Sequence, residues 1–101
     1  MYNYVYSKIM KISWNHTKQR KNLHKHGLDF SDAELVFAGA TVTFDDDRYE
    51  YGENRFITLG MLYGAVVVIA HTEEDEVIRI LSMRKATKNE QKIYYQNFLK
   101  D

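Results

Sequence analysis

The stretch RFITLGMLYGAVVVIAHT, residues 55–72, decides the fold of this 101-residue chain. It contains two runs, 55–62 and 65–72, that are rich in β-branched and apolar residues and therefore predict two strands. Only Tyr63 and Gly64 separate the runs, and so short a connection is typical of a tight β-hairpin. The fold is therefore predicted to be built around an antiparallel pair of strands.

The sequence after this hairpin predicts one more strand and a helix. A turn over residues 73–76 leads into a strand over residues 77–83. That strand is apolar on both faces except at Arg79, as expected for a strand in the centre of a sheet. Thr87 and Glu90 then form a capping box, which opens a helix that extends to about residue 99.

The sequence before the hairpin predicts two strands and two helices. Residues 11–14 alternate between polar and apolar and predict a short strand. Asn15 is a suitable N-cap for a helix that ends at His26, and Gly27 suits the left-handed position after it. The remaining segments are, in order, a helix over residues 32–38 with a capping box from Ser31 to Glu34, a strand over residues 41–44, and an acidic, solvated loop over residues 45–54.

Together these elements predict an α+β domain with a single antiparallel sheet of four to five strands. Two helices precede the sheet's main hairpins and one helix follows them. The chain has no proline and no low-complexity linker, so residues 1–101 are expected to form one domain.

The composition excludes several classes of protein. An apolar fraction of 45% with 28% charged residues is typical of a soluble globular domain. Because the chain has no cysteine, a disulfide framework, a thiolate metal site and a cysteine nucleophile are excluded. No apolar run approaches the roughly 20 residues that span a bilayer, and the N-terminus lacks the apolar core of a secretory signal. We therefore expect a cytoplasmic protein with no membrane partner.

Charge is segregated along the chain although the net charge is zero. Residues 1–27 carry six Lys or Arg and no carboxylate, residues 28–76 carry twelve carboxylates against two Arg, and residues 77–101 carry six Lys or Arg against two acids. If the two basic ends meet in the fold, they form a patch that a polyanion such as a nucleic acid would bind.

The densest group of candidate functional residues surrounds the end of the third predicted strand. Alternation along the strand predicts that Arg79 points to one face while Ser82 and Arg84 point to the other. Guanidinium groups on a rigid strand suit phosphate binding, because each donates two hydrogen bonds at once. The alternative is that Arg79 pairs with a carboxylate of the acidic middle segment.

His71 closes the second strand of the main hairpin. It faces Ile78 if the next turn is Glu74-Asp75, or Arg79 if that loop has three residues, and the sequence leaves both registers open. Near arginines, a histidine is suited to general acid or base chemistry. The alternative is an exposed histidine at a strand end.

Glu53 and Arg55 lie two residues apart at the entry to a strand, so both side chains can project from one face. A carboxylate beside an arginine suits the role of base toward a ribose 2′-hydroxyl. It can equally be a surface ion pair that contributes little to stability.

The first predicted helix carries Lys18, Lys21 and Lys25 at helical spacing, which predicts a basic stripe. Alternatively, Lys25 and His26 simply complement the negative end of the helix dipole. His24 and His26 lack a suitably spaced third ligand, so we predict no metal site and no cofactor.

Several short motifs occur in an order that resembles the BrnT family of type II toxin–antitoxin systems. The resemblance covers about residues 11–95. Its pieces are Trp14-Asn15, Lys25-His26-Gly27, Phe30 with Ala33 and Val36-Phe37, Glu53-Asn-Arg55-Phe56 with Gly60, His71-Thr72, and Arg79-Ile-Leu-Ser-Met-Arg84-Lys85-Ala-Thr87 with Glu90. Two features depart from the family pattern: Asn15 stands where Asp is usual, and residues 1–9 precede the usual start.

The resemblance implies a RelE-like fold and a ribonuclease that arrests translation. It also implies a DNA-binding ribbon-helix-helix antitoxin of the BrnA type, a complex of two toxins with two antitoxins, and contact with operator DNA only through the antitoxin. The candidate catalytic residues are Glu53, Arg55, His71, Arg79 and Arg84, and the candidate RNA-binding residues are Lys21, Lys25, His26, Lys85 and Lys88.

Our sequence-based hypothesis is metal-independent cleavage of RNA, in which the ribose 2′-hydroxyl attacks the adjacent phosphate. Glu53 or His71 would move a proton, and arginines would stabilise the charge on phosphorus. The alternatives are a binding module without catalysis and a toxin that has lost its activity.

Overall fold

The computed structural model describes residues 10–48, 50 and 52–98. The possible N-terminal extension, residues 1–9, and the predicted helix end at residue 99 lie outside the described residues. In chain order the elements are β1 (Lys11–Trp14), α1 (His16–His26), a 3₁₀ turn (Phe30–Asp32), α2 (Ala33–Phe37), β2 (Thr41–Asp45), β3 (Arg55–Leu62), β4 (Ala65–Glu74), β5 (Val77–Lys85) and α3 (Lys88–Phe98).

The strands form one five-stranded sheet in the order β1-β5-β4-β3-β2. The predicted α+β class with a single sheet and three helices is confirmed. The sheet differs from the prediction in one pairing, because β1 runs parallel to β5 while the other pairs are antiparallel. Most of the chain separates β1 from β5, so no tight hairpin dictates their relative direction.

The hairpins β3–β4 and β4–β5 each use a two-residue turn in the left-handed conformation. Tyr63 and Gly64 have φ values of 49° and 82°, which is the conformation that suits the right-handed twist of the flanking strands. The second turn is Asp75-Glu76, with φ values of 51° and 64°. Because this turn lies one residue later than Glu74-Asp75, both predicted registers of His71 are wrong.

A β-bulge in β5 changes which residues share a face of the sheet. His71 pairs with Ile80 but Ala70 pairs with Ser82, so Leu81 is an extra residue without a partner in β4. As a result Ile80 and Met83, three residues apart, both lie in the same core cluster. The predicted alternation fails at this point, and Arg79 and Arg84 project from the same face.

One face of the sheet, which we call the closed face, is covered by the 3₁₀ turn and α2. The cluster on this face contains fully or almost fully buried side chains from both layers: Phe30, Ala33, Val36, Phe37, Leu62, Val67, Ile69, Ile78, Ile80 and Met83. Gly60 of β3 allows α2 to approach closely, because a Cβ atom there would lie 2.5 Å from Cγ1 of the buried Val36.

The other face of the sheet is covered only in part. Tyr94 of α3 packs on Val42, Leu59, Val66 and Val68, and this second cluster occupies one end of the face. Beyond it lies a region of half-buried and exposed side chains, which we call the open face: Ser13, Arg55, Ala70, Thr72, Arg79 and Ser82.

The helix ends show why these segments are helical. The Asn15 side chain accepts a hydrogen bond from the Lys18 backbone N–H at 3.1 Å, and Gly27 adopts a φ of 70°, as predicted. The capping box predicted at Ser31 is wrong. Asp29 accepts from the Ser31 N–H at 2.9 Å and starts a 3₁₀ turn instead. Among the described helices, none is both long and apolar enough to cross a membrane.

Candidate functional site

A row of polar side chains crosses the open face at right angles to the strands. In the register of the sheet, Ser13 of β1 lies beside Arg79 of β5, Arg79 beside Thr72 of β4, and Thr72 beside Arg55 of β3. Directly opposed residues on neighbouring strands share a face. Arg79 and Arg55 therefore flank Thr72 on one surface, with backbones about 10 Å apart, which is twice the strand spacing.

Arg79 is the most accessible arginine of this row. Its side chain is exposed, and within the described part of the chain no carboxylate lies within 4.0 Å of its guanidinium. The predicted alternative, a pairing of Arg79 with the acidic middle segment, does not occur among those residues. Its charge is therefore available to a ligand on the open face.

Glu53 and Arg55 meet at the other end of the row, as their spacing predicted. Arg55 Nε donates to Glu53 Oε1 over 3.3 Å, and the two side chains are 30% and 52% exposed. An ion pair this accessible is weak. A phosphate can therefore compete for Arg55 and leave the Glu53 carboxylate beside it.

Arg84 is held more firmly, by the first turn of α3. Its Nη1 and Nη2 atoms donate to the two carboxylate oxygens of Glu90 over 2.7 and 2.9 Å. Glu90 also accepts from the Thr87 N–H at 2.8 Å, and the Thr87 hydroxyl accepts from the Glu90 N–H, which confirms the predicted capping box. The Arg84 hydrogen bond lowers the pKa of Glu90 to about 2. Arg84 thus has a fixed guanidinium plane.

His71 lies on the closed face, apart from the arginines. It is fully buried, with its ring 5.1 Å from that of Phe37 and 5.7 Å from that of Phe56. Its Nε2 is 2.7 Å from the Thr58 hydroxyl, which is in turn 2.8 Å from the Thr43 hydroxyl. Burial lowers the pKa of His71 to about 4, so the ring is neutral at pH 7. The alternative in which His71 is exposed at a strand end is therefore wrong. For His71 to act on RNA, the core around it would have to open.

The basic residues of the two chain ends adjoin at the edge of the sheet. The Asn22 side chain of α1 donates to the Met83 carbonyl at 2.9 Å and accepts from the Met83 N–H at 3.1 Å. This contact holds α1 beside the end of β5. Lys21 and Lys25 of α1, Lys85 at the end of β5 and Lys88 at the start of α3 are exposed, and His26 is half-buried.

The acidic loop forms a groove of about 700 Å³ next to Arg55. Its lining includes Asp45, Asp46, Asp47, Glu50 and Glu53. Arg48 makes a two-pronged ion pair with Asp46, at 2.7 and 3.0 Å. Within the described ranges, no three His, Asp or Glu side chains converge as they would around a metal ion.

Sequence reasoning missed the connecting members of this site. Thr72 and Ser13 complete the row between the arginines, but only the strand register reveals them. Glu90 was predicted as a helix cap, and its second role as the partner of Arg84 depends on where α3 begins relative to β5. The sequence feature that could have revealed this pairing is the position of Arg84, three residues before the Thr87-Glu90 capping box.

These features define a small α+β domain whose open sheet face is suited to a phosphate-rich ligand. Residues 14–90 match the family described as "Ribonuclease toxin, BrnT, of type II toxin-antitoxin system". Because the match spans more than half of the chain, the chain belongs to the BrnT family of ribonuclease toxins. A search of curated proteins gave no significant match.

Proposed function

We propose that this chain is an endoribonuclease that cleaves RNA bound across the open face and thereby arrests translation. The observation that carries the proposal is the row in which Arg79 and Arg55 flank Thr72 on an accessible surface. Two arginines whose backbones lie about 10 Å apart can hold one phosphate each, or converge on one, because arginine side chains are long and donate in pairs. Membership of a ribonuclease toxin family supports the same conclusion.

The proposed reaction is transesterification within the RNA. The Glu53 carboxylate removes the proton from a ribose 2′-hydroxyl, and the 2′-oxygen attacks the adjacent phosphorus. The bond from phosphorus to the 5′-oxygen breaks, and that oxygen takes a proton from water. The products are a 2′,3′-cyclic phosphate and a 5′-hydroxyl. Because the nucleophile belongs to the substrate, the step as proposed is metal-independent and needs no cofactor.

The arginines supply the electrostatic part of this mechanism. Negative charge builds on the equatorial oxygens of phosphorus during attack, and Arg79 and Arg55 donate to those oxygens. Removing one donor of this kind typically costs about 10²–10³-fold in rate. Arg84, fixed by Glu90, lies further along the same face and holds the neighbouring part of the RNA. His71, on the closed face, takes no part in this step.

The lysines at the sheet edge supply affinity rather than chemistry. These residues are Lys21, Lys25 and His26 of α1, Lys85 at the end of β5 and Lys88 at the start of α3, and the Asn22–Met83 contact joins α1 to the end of β5. Lysine contacts to phosphate release counterions from the nucleic acid, so the affinity that they contribute falls as salt is raised.

The type II toxin–antitoxin family implies a protein antitoxin as partner. We propose that the antitoxin is a ribbon-helix-helix protein of the BrnA type and that it covers the open face. The expected complex contains two toxins and two antitoxins, and operator DNA is contacted only by the antitoxin. Covering the arginines would block RNA and neutralise their charge in one step.

The test is cleavage of a 5′-labelled oligoribonucleotide by the purified chain in EDTA. Wild type should yield a 2′,3′-cyclic phosphate end. Arg79→Ala should reduce the rate about 100-fold, whereas Arg79→Lys keeps the charge, loses the paired donors and should give an intermediate rate. RNA that is bound but left intact would favour the binding module, and neither binding nor cleavage would contradict the proposal.

A further inference from the structure

A small cavity lies between the sheet and the start of α3, on the same side as the open face. It has a volume of about 220 Å³. Its apolar wall is formed by Phe44, Ile57 and Leu59 from the sheet and Ile93 from α3. Its charged lining, which we call the rim, comprises Arg48, Arg84, Asp45, Asp46 and Glu90. Phe44 and Ile57 are half-buried, so their side chains are partly accessible from the cavity.

The cavity is continuous with the row of arginines. Ile57 follows Arg55 by two residues on β3, so both side chains project from the same face about 7 Å apart along the strand. Phe44 pairs directly with Ile57, and Ile57 with Ala70 of the open face. An RNA strand whose phosphate is held at Arg55 therefore passes beside the cavity.

The walls and the rim of the cavity match the chemistry of a nucleobase. An aromatic ring and aliphatic side chains suit the flat, weakly hydrated faces of a base. At the rim, each guanidinium is oriented by a two-pronged carboxylate contact, Arg84 by Glu90 and Arg48 by Asp46. Within the described chain, Arg84 uses three of its five N–H groups, on Glu90 and the Lys85 carbonyl. Its other donors can meet the acceptor edge of a base.

We infer that this cavity receives one unpaired base of the RNA, next to the phosphate bound at Arg55. The inference rests on the proposed function of the open face. A volume of about 220 Å³ is below the roughly 300 Å³ at which pockets for drug-sized ligands begin, so it accommodates one base and not a stacked pair. A base in a duplex is stacked and paired and does not reach the wall. The substrate is therefore single-stranded at this nucleotide.

The experiment is a scan of abasic nucleotides along one oligoribonucleotide of known cleavage site. Each nucleotide around the cleaved bond is replaced in turn, and single-turnover rates are measured. One position should show a loss of about tenfold, the change that ~1.4 kcal/mol of base contact represents. Positions further along the strand should show little effect.

Two variants assign this loss to the cavity. Phe44→Leu keeps an apolar wall but removes the aromatic face, and Ile93→Trp fills the space from the helix. Each variant should cleave intact RNA and RNA that is abasic at that position at the same rate. That rate should equal the rate at which wild type cleaves the abasic RNA. Tyr63→Ala, at an exposed turn, is the control and should retain the full tenfold loss. Circular dichroism confirms folding.

The inference is overturned if no position shows a loss, or if the loss persists in both cavity variants. If wild type cleaves no RNA, the proposed function fails. The abasic scan is then repeated as a binding measurement with 2′-deoxy oligonucleotides. The base site is still supported if wild type loses affinity at one abasic position and neither cavity variant shows that loss. A flat binding profile overturns it.

Discussion

The closed and open faces of the sheet are made by alternate residues of the same strands, yet they differ in burial and in charge. On β4, Ile69 and His71 are completely buried beneath α2, whereas the neighbouring Ala70 and Thr72 are partly accessible. The closed face pairs several of its polar groups internally, as in the hydrogen bond between His71 Nε2 and the Thr58 hydroxyl, although His71 Nδ1 and Trp14 Nε1 are buried without a hydrogen-bond partner among the described residues. The open face presents cationic groups outward. The closed face therefore holds most of the core, and the open face is the surface that we propose binds RNA.

The largest expected effect is on the rate of RNA cleavage, and it distinguishes substitutions on the open face from those on the closed face. The double variant Arg55→Ala, Arg79→Ala should reduce RNA cleavage at least about 100-fold, because both donors to the phosphate are lost. His71→Gln should change the rate at pH 7.5 less than about threefold, since its amide can still bond to Thr58. Single-turnover rates of the purified variants measure both effects.

Circular dichroism must show that these variants are folded. If His71→Gln abolishes cleavage while the arginine variant remains active, the assignment of the two faces is reversed. Comparable losses in both would place the reaction at a site that spans them.

The next largest effect concerns packing on the closed face. Gly60→Ala should lower the free energy of unfolding by about 1–3 kcal/mol, because the new Cβ would lie 2.5 Å from Val36 Cγ1 in the core. Gly39→Ala is the matched control, since its Cβ would meet only the Val36 carbonyl, at 3.7 Å. Urea denaturation measures both, and equal stabilities would contradict the close approach of α2.

The third prediction concerns the pH dependence of stability. In the unfolded chain His71 binds a proton near its ordinary pKa of 6.5, but in the fold only near 4, because burial disfavours the charge. Lowering the pH from 6.5 toward 4 therefore favours the unfolded chain, by up to about 1.4 kcal/mol per pH unit.

Urea denaturation at pH 7, 6 and 5 measures this effect, with His71→Gln for comparison. Wild type should lose more stability than the variant across this interval. Glu90 is present in both proteins, so the loss of its ion pair, which begins as the pH falls toward its ordinary pKa of 4.5 and is complete only below about 2, cancels in the comparison. Parallel profiles for the two proteins would show that His71 is accessible in the fold.

The smallest effect concerns the helix end beside the open face. Thr87→Ala should cost about 1 kcal/mol of stability, because the Glu90 N–H loses its acceptor. Thr87→Ser retains the hydroxyl and should be close to wild type. Neither variant should alter cleavage by more than about twofold, since the Arg84–Glu90 contact remains. A larger fall in cleavage would show that the cap also positions Arg84.

The sequence predicted the elements of this fold well where local chemistry determines them. The hairpin at Tyr63-Gly64, the Asn15 and Gly27 helix ends and the Thr87 capping box each depend on residues close in the chain. The segregation of charge predicted a basic patch if the two ends meet, and the contact of Asn22 with Met83 brings α1 to the end of β5.

Features set by contacts distant in sequence could not be predicted. The parallel pairing of β1 and the burial of His71 depend on what packs beside them. The bulge at Leu81 has no local sequence signal, and it alone decides that Arg84 shares a face with Arg79. The roles of the candidate residues therefore stay predictions, and only the structure shows which of them share a face of the sheet.

The Asn22 amide has a further consequence for solubility. β1 ends at Trp14, which pairs with Ile80, and beyond it the backbone of β5 would present unpaired groups along a sheet border. An unpaired strand edge of this kind is a template on which strands of other molecules can pair, which leads to aggregation. Asn22 occupies both the donor and the acceptor of Met83 with a single side chain, and so denies an incoming strand its first pair of hydrogen bonds.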